Sequence, residues 1–215
     1  MRDIIIGSIR FSLVSWILCG LLYPLAATVL AQALFPFQAN GSLARKTDGT
    51  VIGSVLIGQN WTESRWFHGR PSATIGTDPS DPNKSIAAPY NASNSGASNL
   101  GPTSEQLWQR LSTDRKALEL AQPQLSGQML PADMLTTSAS GLDPEISVAN
   151  ATLQVSRVAA ARGIPEEKVR ALIEKHVIGR DLGIFGESRV NVLELNLALD
   201  GIAPSTATNS VAQLR

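Results

Sequence analysis

The chain has 215 residues, and its 18 lysine and arginine side chains are balanced by 18 aspartates and glutamates. That neutrality leaves no overall field to draw the protein to nucleic acid or to an acidic surface. The one cysteine, Cys19, lies inside an apolar run, which excludes intramolecular disulfides and four-cysteine metal sites.

Residues 11–37, FSLVSWILCGLLYPLAATVLAQALFPF, carry no charge, and about 20 apolar residues are enough to cross a bilayer core as a helix. A helix satisfies its own backbone there, Ser12, Ser15 and Thr28 can bond back to preceding carbonyls, and Pro24 removes one donor and predicts a kink. A cleaved signal peptide is the alternative, since Arg2 and Arg10 precede the run and Ala31-Gln32-Ala33 has the small-x-small form of a cleavage site. The apolar stretch is longer than the ~7–15 residues of a signal core, which favours retention as an anchor. Arg2 and Arg10 on one side, against the more distant Arg45 and Lys46 on the other, lean toward a cytoplasmic N-terminus.

Beyond the span, Val51–Ile57 (VIGSVLI) is β-branched, bounded by glycines, and reads as a strand followed by a turn at Gly58-Gln59-Asn60. WTESRWF follows, and Trp61, Trp66 and Phe67 read as core or interface packing rather than a stacking platform for bases. Residues 68–103 are crowded with Gly, Pro, Ser, Asn and Asp and predict a long loop, of a length that is usually functional or disordered. Ser104 can cap a helix through EQLWQRLSTDRKALEL to about Ala121, with Leu107, Leu111 and Leu118 at helical spacing and Pro123 as the stop. It reads as a packed surface helix.

A second helix starts around Ser147, runs through VANATLQVSRVAAAR and ends at Gly163, and Pro165 opens a third, EEKVRALIEKHV, ending near Gly179. Val148, Leu153, Val155, Val158 and Ala159 do not share one narrow stripe, so the second helix is expected to be well buried. In the last element, RVNVLELNLALD, Leu193, Leu195, Leu197 and Leu199 alternate, which predicts a strand with one packed face. Strands at both ends with helices between predict an α+β domain whose terminal strands pair. The expected organisation is an N-terminal segment 1–10, a transmembrane helix 11–34, a soluble α+β domain 35–200 and a frayed tail 201–215.

Short motifs carry little chemistry. Residues 46–50, KTDGT, hold the letters of the P-type ATPase phosphorylation motif in the wrong order, and that chemistry depends on position rather than composition. Leu125-Ser126-Gly127-Gln128 resembles a shortened ABC-transporter signature and is a weak nucleotide candidate, with no GxxxxGK[ST] sequence to cradle phosphates. Neither His68 nor His176 stands in a metal-ligand spacing, and His176 near a helix end reads as a cap on terminal carbonyls. No GxSxG elbow occurs, Glu166 and Glu167 suit a helix dipole, and the helices meeting at Gly163 lack the basic bias of a recognition helix. No catalytic or metal residue is expected.

Longer blocks are informative. GSVLIGQNW, FHGRPSA, YNASNSGASNLGP, SGLDPEIS, Gln154, RVAAARGI and GRDLGIFGESRVNVLELNLALD, in this order and together with the anchor, resemble the C subunit of the bacterial potassium-transporting Kdp ATPase. The family has His at the place of Glu145, Pro at that of Ser188, and a Gly-Gly pair where Gly96-Ala97 stands. The resemblance implies a non-catalytic subunit of an ATP-driven potassium importer in the bacterial inner membrane. Its implied partners are an ATP-hydrolysing subunit, a channel-like subunit and a small membrane subunit, with ATP the cofactor of the complex. It further implies a catalytic chaperone that raises the ATP affinity of the hydrolysing subunit; a cytoplasmic N-terminus would make the soluble domain extracytoplasmic, and Trp61, Trp66, Phe67, Arg70 and Asn99 are the candidates for contact with a partner. The alternatives are a membrane-anchored periplasmic hydrolase, disfavoured by the missing motifs, and an anchored or secreted binding module.

Overall fold

The computed structural model describes residues 1–46 and 48–201 and divides into two units, Met1–Leu43 and Ala44 onward. The tail expected to fray lies, from Ile202 on, outside the described residues. In the first unit a single apolar helix runs Arg2–Leu34, long enough to cross a membrane, and none of its parts buries a residue. The helix begins at Arg2, because nothing in RDIIIGSIR breaks a helix. It comprises α1 (Arg2–Ile17), a π-helical turn (Leu18–Leu22) and α2 (Tyr23–Leu34), followed by one short turn, α3 (Pro36–Ala39). The π-turn lies directly before Pro24, where the Tyr23 N–H reaches back to the Leu18 carbonyl. A residue with no N–H disrupts the helical ladder at this point, and a widened turn is how the helix passes it.

At the start of the second unit β1 (Leu43–Arg45), whose first residue closes the first unit, pairs with β2 (Val51–Ser54) in a two-stranded sheet. The strand expected to reach Ile57 stops at Ser54, where the Ile57 N–H closes a turn onto the Ser54 carbonyl. Asp48, in the KTDGT stretch, accepts the Thr50 N–H at 2.8 Å and serves a turn.

Residues 68–103 are not loop throughout: β3 (Ile75–Asp78) and β4 (Asp81–Ala87) form an antiparallel hairpin, with Ile75 opposite Ala87 and Thr77 opposite Ser85. Every residue of β4 is exposed, so it carries no alternation of polar and apolar side chains by which to be recognised. Helix α4 (Glu105–Ala121) has the expected bounds and the expected cap, Ser104 accepting the Leu107 N–H.

A three-stranded antiparallel sheet, in the order β5 (Glu145–Ser147), β7 (Arg189–Asn191), β6 (Val177–Ile178), carries the centre of the domain. Four helices complete it: α5 (Val148–Leu153), α6 (Val155–Arg162), α7 (Glu166–Lys175) and α8 (Val192–Leu199). The helix expected from Ser147 to Gly163 is interrupted at Gln154, whose side chain serves a distant backbone. Gly163 ends α6 at φ 63°, the left-handed conformation that suits glycine.

The last element is the largest departure from expectation. Only Arg189–Asn191 is strand; Asn191 then caps α8 by accepting the Glu194 N–H at 3.1 Å. Leu193 and Leu197, four residues apart, pack with Ala44 in one cluster, whereas Val192 and Leu195 pack with Phe67, Val155, Val158 and Val190 in the other. A helix buried on two sides needs leucine at both sets of positions, and the result imitates the alternation of a strand. The expected pairing of terminal strands is absent accordingly: β2 pairs with β1, and β7 with β5 and β6.

Candidate functional site

One extended segment, Trp66–Thr74, threads the second unit, and the polar side chains around it are spent on holding its backbone. Phe67 donates its N–H to Asn196 Oδ1 at 2.8 Å and accepts from Asn196 Nδ2 at 3.0 Å. His68 makes the same pair with Gln154, N–H to Oε1 at 2.8 Å and Nε2 to carbonyl at 3.0 Å. Each amide replaces a neighbouring strand for one residue, which is how an irregular segment can cross a core without orphaned backbone groups. Arg157 donates to the Trp66 carbonyl at 2.9 Å and to Gln154 Oε1 at 2.6 Å, and Asn150 Oδ1 accepts from Gln154 Nε2 at 2.8 Å. Asn150 is itself held by Asp133, whose carboxylate also accepts from the Ser147 backbone and hydroxyl.

The segment continues over Tyr90. The phenol donates to the Arg70 carbonyl at 2.7 Å, and the Tyr90 N–H donates to Ser72 Oγ at 3.0 Å. Tyr90 is held at φ 60°, a conformation costly for a non-glycine residue. Gly58 and Gly69 both lie against its ring, where a Cβ on either would collide with the tyrosine. Arg70 pairs with Asp143 at 3.0 Å and donates to the Thr137 carbonyl at 3.2 Å, both charged partners being about a quarter exposed. Ser72 donates to the Gly141 carbonyl, Thr74 to that of Ala88, and Asn91 and Asn94 both donate to Ile75, so the β3–β4 hairpin is tied at its base.

Burial pushes the Tyr90 phenol up to about 12 from an ordinary 10.0, with Asp143 adding to the shift and Arg70 opposing it. Below pH 10 the phenol is neutral folded and unfolded, so its contribution is complete. As pH rises toward 12 the unfolded chain ionises first, and that stability is lost. Chemical denaturation is thus expected to show a fall in stability between about pH 10 and 12, part of which Tyr90→Phe removes. His68 is displaced the other way, held below its ordinary 6.5 by burial and by the neighbouring Arg157 cation.

The residues expected at a partner surface divide. Phe67 is wholly buried in the core; Trp66 is nearly so, tilted against Trp61 at 4.9 Å, with the guanidinium groups of Arg65 and Arg162 over its ring at 4.8 and 4.5 Å. Arg70 is turned inward onto Asp143, whereas Asn99 is exposed, at φ 52°. Along the Trp66–Thr74 strap, Pro71 and Ala73 join Ser98, Arg110, Leu118 and Met134 in lining an open groove of about 600 Å³. Sequence reasoning missed Asn196 and Asp133 and gave Gln154 no structural role; the signal of Asn196 is a polar side chain inside the apolar stretch of α8.

The nucleotide candidate Leu125-Ser126-Gly127-Gln128 forms a tight turn after α4. Leu125 is buried, and the N–H groups of Leu125, Ser126 and Gln128 are donated to the carbonyls of Gln122, Pro123 and Leu125. An anion cradle needs such groups free. His176 Nδ1 lies 2.8 Å from the Leu172 carbonyl at the end of α7, the terminal position expected of it. Among the described residues no three His, Cys, Asp or Glu side chains converge to hold a metal.

A family model described as K+-transporting ATPase, c chain, matches residues 5–201. The chain is 57% identical over 184 residues to the potassium-transporting ATPase KdpC subunit of Bradyrhizobium diazoefficiens, covering 86% of this chain and 90% of the relative. It is 56% identical over 187 residues to the protein of that name from Methylobacterium nodulans, covering 87% and 91%. With that of Rhodopseudomonas palustris the identity is 55% over 185 residues, covering 86% and 90%.

Proposed function

The chain belongs to the KdpC family, the c chain of K+-transporting ATPases, and from that premise we propose that it is a non-catalytic subunit of an ATP-driven potassium importer. In this reading it joins an ATP-hydrolysing subunit, a channel-like subunit and a small membrane subunit, supports their assembly, and acts as a catalytic chaperone for ATP hydrolysis. The observation that carries the reading is the spending of polar groups: Asn196, Gln154, Arg157, Arg70 and Asp143 all fix backbone or each other. Such a network holds a shape and presents a surface, which is the work of a binding subunit rather than of a reaction centre.

The anchor supports the same reading. Gly20, Ala26, Ala27 and Ala31 are small enough to let a neighbouring helix approach closely, and no residue of the anchor is buried within the chain itself. With the amino terminus in the cytoplasm, the large domain lies outside it, in the periplasm or its equivalent, and the chaperone effect passes through contacts with partners rather than through ATP. The spent N–H groups at residues 125, 126 and 128 accord with that. Deleting the gene is expected to abolish growth and potassium uptake at low external potassium, with rescue by the intact chain. Undiminished uptake would refute the function.

A further inference from the structure

Between β6 and β7 the chain makes a knuckle whose tip is apolar and exposed. Leu182 is 86% exposed, Ile184 73% and Phe185 63%. The knuckle is closed by a reciprocal pair of backbone bonds, the Asp181 N–H to the Phe185 carbonyl at 2.8 Å and the Phe185 N–H to the Asp181 carbonyl at 2.9 Å. The Ile184 N–H also reaches the Asp181 carbonyl at 3.1 Å, across Leu182 at φ 52° and Gly183 at φ 73°. Two successive positive φ values are the requirement of the tight mirror-image hairpin turn, for which Asn, Asp or Gly is favoured. Leucine there is disfavoured by its backbone, and its side chain recovers nothing by packing, since it is exposed. The stability of this chain therefore does not account for Leu182.

The collar of the knuckle decides what would cover it. Arg180 pairs with Glu187 at 2.6 Å, and Arg189 pairs with Glu145 at 2.8 Å and with Asp181 at 3.4 Å. Both cations are neutralised locally and three carboxylates surround them, so the rim has no positive excess. A loop that inserts into a membrane surface draws on Lys and Arg for anionic headgroups, and this rim would gain nothing there. A preorganised apolar knob with a self-paired polar rim is suited instead to a shaped, uncharged pocket, with little ordering left to be done on binding.

We propose that the Leu182–Phe185 knuckle is a docking knob that seats in an apolar pocket on another protein subunit of the same transporting ATPase. This rests on the subunit reading above and adds the place of contact. The test is to put the photoreactive residue p-benzoylphenylalanine at position 185 of the full chain, irradiate cells that express the whole complex, and purify through a tag on the chain. The expected result is an adduct containing a second ATPase subunit. Adducts with lipid or with another copy of the chain, or no adduct, while the other subunits still co-purify, would overturn the knob and leave the subunit reading intact. Absence of the other subunits from the purified material would overturn both. A second variant separates docking from folding: Leu182→Asn suits the turn, so the melting temperature of the isolated chain is expected to hold or rise. Its dissociation from the complex should quicken about tenfold. A lower melting temperature with unchanged dissociation would make Leu182 a structural residue and end the proposal.

Discussion

Asn196→Leu is expected to destabilise the soluble domain by about 4 kcal/mol, although leucine keeps the branching of asparagine at Cγ and is more at home in a core. Asn196 is fully buried on α8, where its amide satisfies both the N–H and the carbonyl of Phe67. Leucine would leave both backbone groups unpaired in an apolar setting, each at a cost of about 1–3 kcal/mol. The Phe67 ring would then have to move out of the core it shares with Val155, Val158 and Leu195, or the orphaned groups would remain. Urea denaturation of the full chain in detergent, followed by tryptophan fluorescence, measures the loss, since Trp66 begins the Trp66–Thr74 segment and Trp61 packs against it. A loss below about 1 kcal/mol would mean that water or a loop shift satisfies Phe67, and the strap would not depend on its amide clamps.

The second large effect concerns the anchor. Replacing Leu21 and Leu25 by arginine is expected to release the chain from the membrane. On the insertion scale an arginine at the helix centre is unfavourable by about 2.5–3.5 kcal/mol and a leucine favourable by about 0.3–0.6, so the pair costs about 6–8 kcal/mol. The measurement is the share of chain remaining in membranes after alkaline carbonate washing. The wild-type chain should stay and should begin at its own N-terminus by mass spectrometry. A mature chain beginning at Leu34 would show instead that Ala31-Gln32-Ala33 is cleaved and that the helix is a leader.

What was legible in the sequence follows from where each element sits. Helix α4 lies at the surface, so its leucines keep a helical period, Ser104 caps it and Pro123 ends it; all three signals reappear in the fold. Helix α8 is enclosed by two apolar clusters, so burial on both sides erased the helical stripe and left an alternation that reads as strand. Strand β4 failed for the opposite reason, being exposed along its whole length. The break at Gln154 had no local signal, because its cause is the backbone of His68, 86 residues away. Conformation governed the site in the same way. Of the two readings of Phe67, core or interface packing, the fold gives it the core, while Leu182, Ile184 and Phe185 stand exposed in a stretch whose composition gives no reason to expect it.

The resemblance carried by the longer blocks and the family match over residues 5–201 agree, and the fold adds a physical reason: its polar residues are committed to shape. The most direct test is affinity purification of the full-length chain from gently solubilised membranes of cells grown at low potassium. The expected result is a complex with multi-span subunits that hydrolyses ATP in response to potassium and loses that response when this chain is stripped away. Recovery of the chain alone, beside a potassium-stimulated ATPase that functions without it, would contradict the role as a working subunit.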